Sequence, residues 1–304
     1  MFGAIYIPGA VVLFMFLMPF IGRWKLGHRF NVVYLSTLLV GAAVLTFVAM
    51  QEDRGNEKYA AAVADAHLKA ERVHELIQGR QGVGINGAVA LLRSDPKIYG
   101  PAVFAKNCSQ CHRYNGHNGA GVELEAVQTA SDLGQFGTRE WIRGFITNPA
   151  GPDHFGPTVN ASFNGEPVET RFTEGDMAYW AEENVDNMTQ REIDAVVEFL
   201  VAQGNRTDIP AVDEELVAEG RAFFENGSDS VQACVDCHAI QPRGEEEELG
   251  DLGLAPRLTG YGSEEWLRDF LLNPGAEHNY GERNAMISYE GRMSEQDLEM
   301  LLKW

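Results

Sequence analysis

The chain has 304 residues, with 24 Lys and Arg against 44 Asp and Glu and a formal net charge of −20 at pH 7. That length allows two or three units of about 100 residues each. The acidic excess argues against nucleic acid and favours a basic partner protein met by electrostatic steering, although solubility alone would account for it equally well.

Residues 2–22 carry no charge, and residues 30–50 form a second uncharged run. Each matches the roughly 20 apolar residues that cross a bilayer core, so residues 1–50 are expected to form a two-helix transmembrane hairpin. Arg23, Lys25 and Arg29 lie between the runs, and Gln51-Glu52-Asp53 follows the second. The positive-inside rule then puts that loop in the cytoplasm and everything after Met50 outside. In a bacterial inner membrane this is the periplasmic side. A cleaved signal peptide fits poorly, because no basic region precedes the first run and no small-residue cleavage site follows either.

Ile7-Pro8-Gly9-Ala10-Val11-Val12-Leu13-Phe14, with Leu17-Met18-Pro19-Phe20-Ile21-Gly22-Arg23, resembles the C-terminal part of the cytochrome b family, also found as the separate subunit IV of quinol-oxidising bc complexes. The family's Pro-Glu-Trp-Tyr quinol-site motif and paired membrane histidines are absent. Quinol chemistry would therefore belong to another chain. A plain membrane anchor is the alternative.

Residues 51–94 are expected to be a helical linker. Within it, residues 56–78 are rich in Ala, Glu, Lys and Leu without Pro or Gly, a helical composition. His67 and His74 on this helix are read as surface residues. Four glycines in residues 79–87 break it, and a short helical piece over 88–93 leads to Asp95-Pro96.

Cys108-Ser109-Gln110-Cys111-His112 is the attachment pattern of a c-type haem, and it returns as Cys234-Val235-Asp236-Cys237-His238. Cys108 and Cys111, then Cys234 and Cys237, would form thioethers to two covalently bound haems. His112 and His238 would be the proximal iron ligands. The motifs use all four cysteines, which leaves none for a disulfide and makes a zinc site or a thioredoxin-like site a poor fit.

Gly100 and Phe104 precede the first motif, and Gly220 and Phe224 repeat their spacing before the second. Helices are expected at residues 189–203 and 294–304, starting at Thr189 and Ser294 with Glu192 and Asp297 three residues on. Residues 132–156 align without a gap on 257–281 with nine identities, including Trp141/Trp266 and Arg143/Arg268. Trp-x-Arg could set an indole beside each haem and aim the guanidinium at a propionate, or serve core and surface. Glu245 to Glu248 is read as a solvated charge run.

Both halves resemble class I cytochromes c. The resemblance implies an all-α fold with two tandem domains, residues 95–204 and 205–304, joined near residues 204–214. In each, the N-terminal helix would cross the domain's own C-terminal helix at the conserved-type Gly. It also implies a methionine sixth ligand from the loop before the C-terminal helix, a ligand that raises the potential relative to bis-His. Residues 286–294 resemble the family's Met-Pro-x-aromatic-x-Gly-x-Leu-Ser pattern, with Ile287 in place of Pro, so Met286 is assigned to the second iron. Aligning Met188 on Met293 makes both core residues and leaves Met177 for the first iron, with His117 and His154 as rivals. Tyr179 and Trp180 would cover that iron from water. Pro256 sits where the family offers a carbonyl to the proximal His, whereas Ser131 holds the aligned place in the first half.

These readings point to electron transfer with no catalytic residue in this chain. The chain would be the membrane-anchored dihaem cytochrome-c subunit of a bc-type quinol–cytochrome c reductase. It would take electrons from cytochrome b and Rieske iron–sulfur subunits and pass them to a soluble, basic acceptor. The dihaem subunit of a cbb-type haem–copper oxidase, a dihaem peroxidase and a free membrane-bound shuttle are the alternatives.

Overall fold

A computed structural model describes residues 2–79, 83–124, 127–160, 162–163, 166–167, 172–252 and 255–304. The chain divides into two compact units, Met1–Gln81 and Gly82–Trp304.

In the first unit, α1 (Phe2–Ile21) turns into α2 (Gly27–Gly55), and α3 (Glu57–Gln78) follows. The turn requires a glycine, since a Cβ on Gly27 would stand 1.7 Å from the Ile21 carbonyl oxygen. Asn31 Nδ2 donates to the Met18 carbonyl and Tyr34 Oη to that of Val11, both at 2.9 Å, which pins α1 along α2. Only α2 is long and apolar enough to cross a membrane among the described residues, and its apolar window is not buried. The two-span hairpin expected for residues 1–50 is therefore corrected to one candidate span. The apolar helical stretch of α1 is Pro8–Ile21. At 1.5 Å per residue it reaches about 21 Å, short of a hydrocarbon core of roughly 30 Å.

The Asn56 side chain accepts from the Tyr59 amide to start α3. No residue of α3 is buried, His67 and His74 included. Such a helix draws on intrahelical pairs, here Lys69–Asp65 at 2.5 Å and Arg72–Glu75 at 2.6 Å. Residues 80–82 of the glycine-rich break lie outside the described residues.

The second unit holds α4 (Gly87–Arg93), α5 (Pro96–Asn107), α6 (Arg139–Thr147), α7 (Asp176–Asn184), α8 (Gln190–Gly204), α9 (Glu214–Asn226), α10 (Glu264–Leu272) and α11 (Glu295–Leu302). Two-residue strands at Ser162–Phe163 and Glu166–Pro167 pair antiparallel. The repeat is visible in the caps. Thr138 accepts from the Trp141 amide before α6, and Ser263 from the Trp266 amide before α10. Thr189 and Glu192 form the capping box of α8, and Ser294 caps α11 through the Asp297 amide.

The tandem arrangement of two self-contained class I domains does not form. The helix of the second motif, α9, packs along α8 of the first half, and α5 of the first motif packs on α11 of the second. Both crossings use the same chemistry. A Cβ on Gly220 would lie 1.9 Å from the Ala195 carbonyl oxygen and 2.9 Å from Phe199 Cβ. One on Gly100 would lie 2.9 Å from the Met300 carbonyl oxygen and 2.3 Å from Trp304 Cβ. Counted from the caps Thr189 and Ser294, Ala195 corresponds to Met300 and Phe199 to Trp304, so the two crossings are equivalent with partners exchanged. The connection from Gly204 to Glu214 carries the chain back along α8, so that Arg191 near the start of α8 pairs with Glu215 and Glu219 near the start of α9, at 3.1 and 2.6 Å. With α8 and α9 joined as sequence neighbours, α5 packs on α11.

The largest core lies where α6, α8 and α9 meet, around Phe199, Phe224, Val197 and Ile240. The Arg139 guanidinium grips the Glu198 carboxylate at 2.6 and 2.9 Å and fastens α6 to α8. The run at 245–248 is not merely solvated, because Glu245 pairs with Arg221 and Glu248 with Arg257, both at 2.7 Å.

Candidate functional site

Each Cys-x-x-Cys-His motif follows its helix, α5 or α9, and enters a segment held by the repeat. The Leu133 amide donates to the Arg113 carbonyl at 2.8 Å, and that of Leu258 to Ala239 at 2.9 Å. Trp141 Nε1 donates to the Asp132 carbonyl at 3.1 Å, and Trp266 Nε1 to that of Arg257 at 3.2 Å. These contacts set a carbonyl against each histidine. His112 Nδ1 lies 2.8 Å from the Ser131 oxygen and His238 Nδ1 2.8 Å from the Pro256 oxygen. The contact thus exists in both halves, including the one where Ser replaces Pro.

A carbonyl can only accept, so each Nδ1 carries the proton and each Nε2 lone pair is left free. Burial lowers the pKa of both imidazoles, and the carbonyl bonds only partly offset it, so both rings stay neutral near pH 7. Burial likewise pushes the Cys108 thiol up to about 11 and that of Cys234 up to about 12. Cys237 is raised by burial first and by the Asp176 carboxylate second.

Both histidines and all four cysteines line one cavity of about 2310 Å3. A drug-sized pocket spans about 300–1,000 Å3, so there is room for more than one large planar group. Aromatic rings divide it symmetrically. Trp141 stacks on Phe145 at 5.3 Å and Trp266 on Phe270 at 5.2 Å, while the equivalent residues Phe136 and Tyr261 meet at 5.6 Å. Free imidazole nitrogens, paired thiols and a large apolar enclosure suit covalently attached haem. No three His, Cys, Asp or Glu side chains cluster to hold a bare metal ion among the described residues.

Met177, on the first turn of α7, and Met286 both line the cavity. Met188 instead packs against the α6–α8–α9 core, and Met293 is half-buried away from the cavity. His117 does not reach the cavity. Its Nδ1 accepts from the Gly119 amide at 3.0 Å. His154 is buried edge-on against Trp141 at 5.1 Å and does not line the cavity either. Trp180 and Tyr179 border the cavity, but Tyr179 is 55 % exposed and so shields little.

The assignment of Met177 to the first motif and Met286 to the second does not match the neighbourhoods. Trp180 Nε1 donates to the Gln232 carbonyl at 3.2 Å, and the Gln232 amide donates to Asn184 Oδ1 at 2.8 Å, which seats α7 beside the second motif. Tyr289 Oη donates to the Asn107 carbonyl at 2.6 Å, which seats the Met286 loop beside the first.

Arg143 and Arg268 turn away from the cavity and pair with Asp194 and Glu295, both at 2.5 Å. The cationic groups on the cavity wall are others, Arg206 and Arg243 among them. Arg206 donates to the Phe136 carbonyl at 2.6 Å and chelates Asp208. Sequence reasoning passed over both. Their one signal was position, just past the α8 terminus and at the edge of the acidic run. Comparison with models of protein families, with characterised proteins and with solved structures finds no match for the chain.

Proposed function

We propose that the chain is a membrane-anchored dihaem cytochrome c that moves electrons between protein partners. The observation that supports this best is the pair of Cys-x-x-Cys-His motifs whose neutral histidines open onto one shared apolar cavity. Cys108 and Cys111 hold one haem c through thioethers, and Cys234 and Cys237 hold the other. Haem supplies the one-electron Fe(III)/Fe(II) couple. The Ser131 and Pro256 carbonyls fix the ring orientation of His112 and His238 and raise their basicity toward iron. Met177 and Met286 offer thioethers, which favour Fe(II), and the aromatic walls keep water out.

The membrane side follows from charge. Arg23 and Lys25 precede α2 and Arg29 lies in its first turn, whereas Gln51-Glu52-Asp53 lie toward its far end, so the haem-bearing unit sits outside the cytoplasm, on the periplasmic face of a bacterial inner membrane. The resemblance of residues 7–23 to the cytochrome b family supports membership of a bc-type quinol–cytochrome c reductase, with cytochrome b and Rieske subunits as donors. The net charge of −20 suits a basic soluble acceptor, such as a cytochrome c. Two further readings are a dihaem subunit of a cbb-type oxidase and a dihaem peroxidase.

Denaturing gels stained for haem, with intact mass, test the reading. The expected result is a stained band and a mass raised by two haems. One haem or none overturns it. Peroxide turnover with a high-spin iron would move the assignment to a peroxidase, and co-purification with a haem–copper oxidase would move it to that complex.

A further inference from the structure

The proposed haem sites leave open which methionine serves which iron. We propose that each iron takes its sixth ligand from the other half of the repeat: Met286 faces His112, and Met177 faces His238. The inference rests on the dihaem reading above and goes beyond it, since a tandem pair of class I domains would join Met177 to His112 and Met286 to His238.

Two sets of contacts carry it. The helix crossings come first. In the class I fold that both halves resemble, the helix preceding the Cys-x-x-Cys-His motif crosses the helix that follows the ligand loop. Here α5 packs on α11, which follows Met286, and α9 packs on α8, which follows Met177. Gly100 against Met300 and Trp304, and Gly220 against Ala195 and Phe199, show that both junctions are close backbone crossings.

The ligand loops come second. Residue Asn107, immediately before Cys108, accepts from Tyr289, three residues after Met286, at 2.6 Å. The Tyr289 amide in turn donates to the Leu271 carbonyl and Ser288 Oγ to that of Leu272, so the loop is tied to α10 at its other side. Gln232, two residues before Cys234, is held through both its amide and its carbonyl by Asn184 and Trp180 of the helix that carries Met177. The Asn184 side chain is buried and also donates to the Trp180 carbonyl at 2.8 Å, which makes the clamp rigid.

The two halves are therefore not separable haem proteins. Residues 139–258 carry one complete set of motif, helix pair and thioether, and the flanking segments 95–133 and 264–304 carry the other.

The test uses the full chain with one attachment site removed at a time and reads the methionine-to-iron charge-transfer band of the oxidised protein. In the Cys108→Ala/Cys111→Ala protein, Met177→Ala should abolish the band and lower the potential of the remaining haem, while Met286→Ala should leave both unchanged. In the Cys234→Ala/Cys237→Ala protein the roles should reverse. Loss of the band on Met286→Ala in the first protein, or no loss with either methionine, overturns the crossed assignment. Where the single-haem proteins fail to fold, the intact dihaem protein answers by NMR. The hyperfine-shifted ε-methyl of Met286 should show cross-relaxation to the haem attached at Cys108 and Cys111, and contact with the other haem overturns the proposal. Absence of covalent haem by mass would instead fail the dihaem reading itself, a different outcome from either.

Discussion

The two helix crossings of the second unit are built from the same parts but are unequally buried. Ten of the 15 residues of α8 are buried, against two of the eight of α11. Both helices begin at a Thr or Ser cap and meet a glycine of the motif helix at the same register. The difference comes from their neighbours. Helix α8 is covered by α9 on one side and α6 on the other, with the Arg139–Glu198 pair closing the seam. At Arg139's place in the repeat the second half has Glu264, and the ion pair joining α10 to α11, Arg268–Glu295, is more exposed than Arg139–Glu198. Equivalent sequence thus yields one deep core and one shallow one, because burial depends on what chain connectivity brings alongside.

Truncating the residue beneath each crossing separates the two most. Phe199 is 2 % exposed and in contact with Phe224, so Phe199→Ala should cost about 3–5 kcal/mol, the range for large aromatic truncations in a core. Its counterpart Trp304 is half-buried, stacked on Tyr114 at 4.3 Å and edge-on to Phe104. Trp304→Ala should therefore cost less, and denaturant midpoints on the holoprotein measure the gap. Equal losses would mean that the shallow core carries as much stability as the deep one.

A smaller contrast is expected at the glycines. An alanine at 220 meets backbone on α8, the Ala195 carbonyl at 1.9 Å, and has no way to avoid it except by separating the helices. At 100 the closest atom is Trp304 Cβ at 2.3 Å, which side-chain rotation does not move, and the Met300 carbonyl oxygen is at 2.9 Å, so relief requires the less buried α11 to shift. Overpacking costs about 1–3 kcal/mol. Gly220→Ala should fall at or beyond the top of that range, and Gly100→Ala below it. A reversed order, read from the same denaturation curves, would argue that α11 is held more firmly than its burial implies.

These contrasts mark where sequence reading stops. The helices starting at Thr189 and Ser294 were legible because a cap is a local side-chain to backbone bond, and the one following Asn56 because its composition favours a helix throughout. The two attachment motifs and the repeat at 132–156 and 257–281 were legible as patterns. The exchange of partners was not. Gly100-x-x-x-Phe104 and Gly220-x-x-x-Phe224 present the same face, so either can cross either C-terminal helix, and no residue code distinguishes them. The Ser131 contact was hidden for another reason: the acceptor is a backbone carbonyl, which every residue carries whatever its side chain. Arg143 and Arg268 were misdirected because their carboxylate partners, Asp194 and Glu295, come from α8 and α11, placed only by the fold. Residues 2–22 read as a span on lack of charge alone, but their described apolar helix falls short of one.

The smallest effect concerns one place where the repeat diverges in chemistry. In the first half, Gly144 leaves room for the His154 ring, whose Nε2 would stand 2.6 Å from a Cβ there. In the second half, Asp269 takes the glycine's place and Asn279 that of the histidine. Asp269 accepts from Asn279 Nδ2 at 3.1 Å and lies 2.6 Å from His278 Nε2. Burial alone would raise the Asp269 pKa, but the bonds from His278, Asn279 and Asn273 outweigh it and leave the carboxyl below its ordinary value. A carboxyl depressed in the folded state binds fewer protons there than in the unfolded chain between the two pKa values. Its contribution is therefore present above the unfolded value, near pH 4, and is lost as pH falls through the lower folded value. The Asp269 side chain is 42 % exposed, so solvent screening holds the effect to about 0.2–1 kcal/mol. Asp269→Asn should lower stability above about pH 4 by that amount and leave the acid end little changed, which flattens the acid limb between them. Gly144, with no carboxyl to titrate, predicts no matching term from the first half. An acid limb that survives Asp269→Asn intact would place the titration on other carboxylates, such as Asp194 beside Arg143, whose pKa is lowered first by Gln190 and then by that arginine.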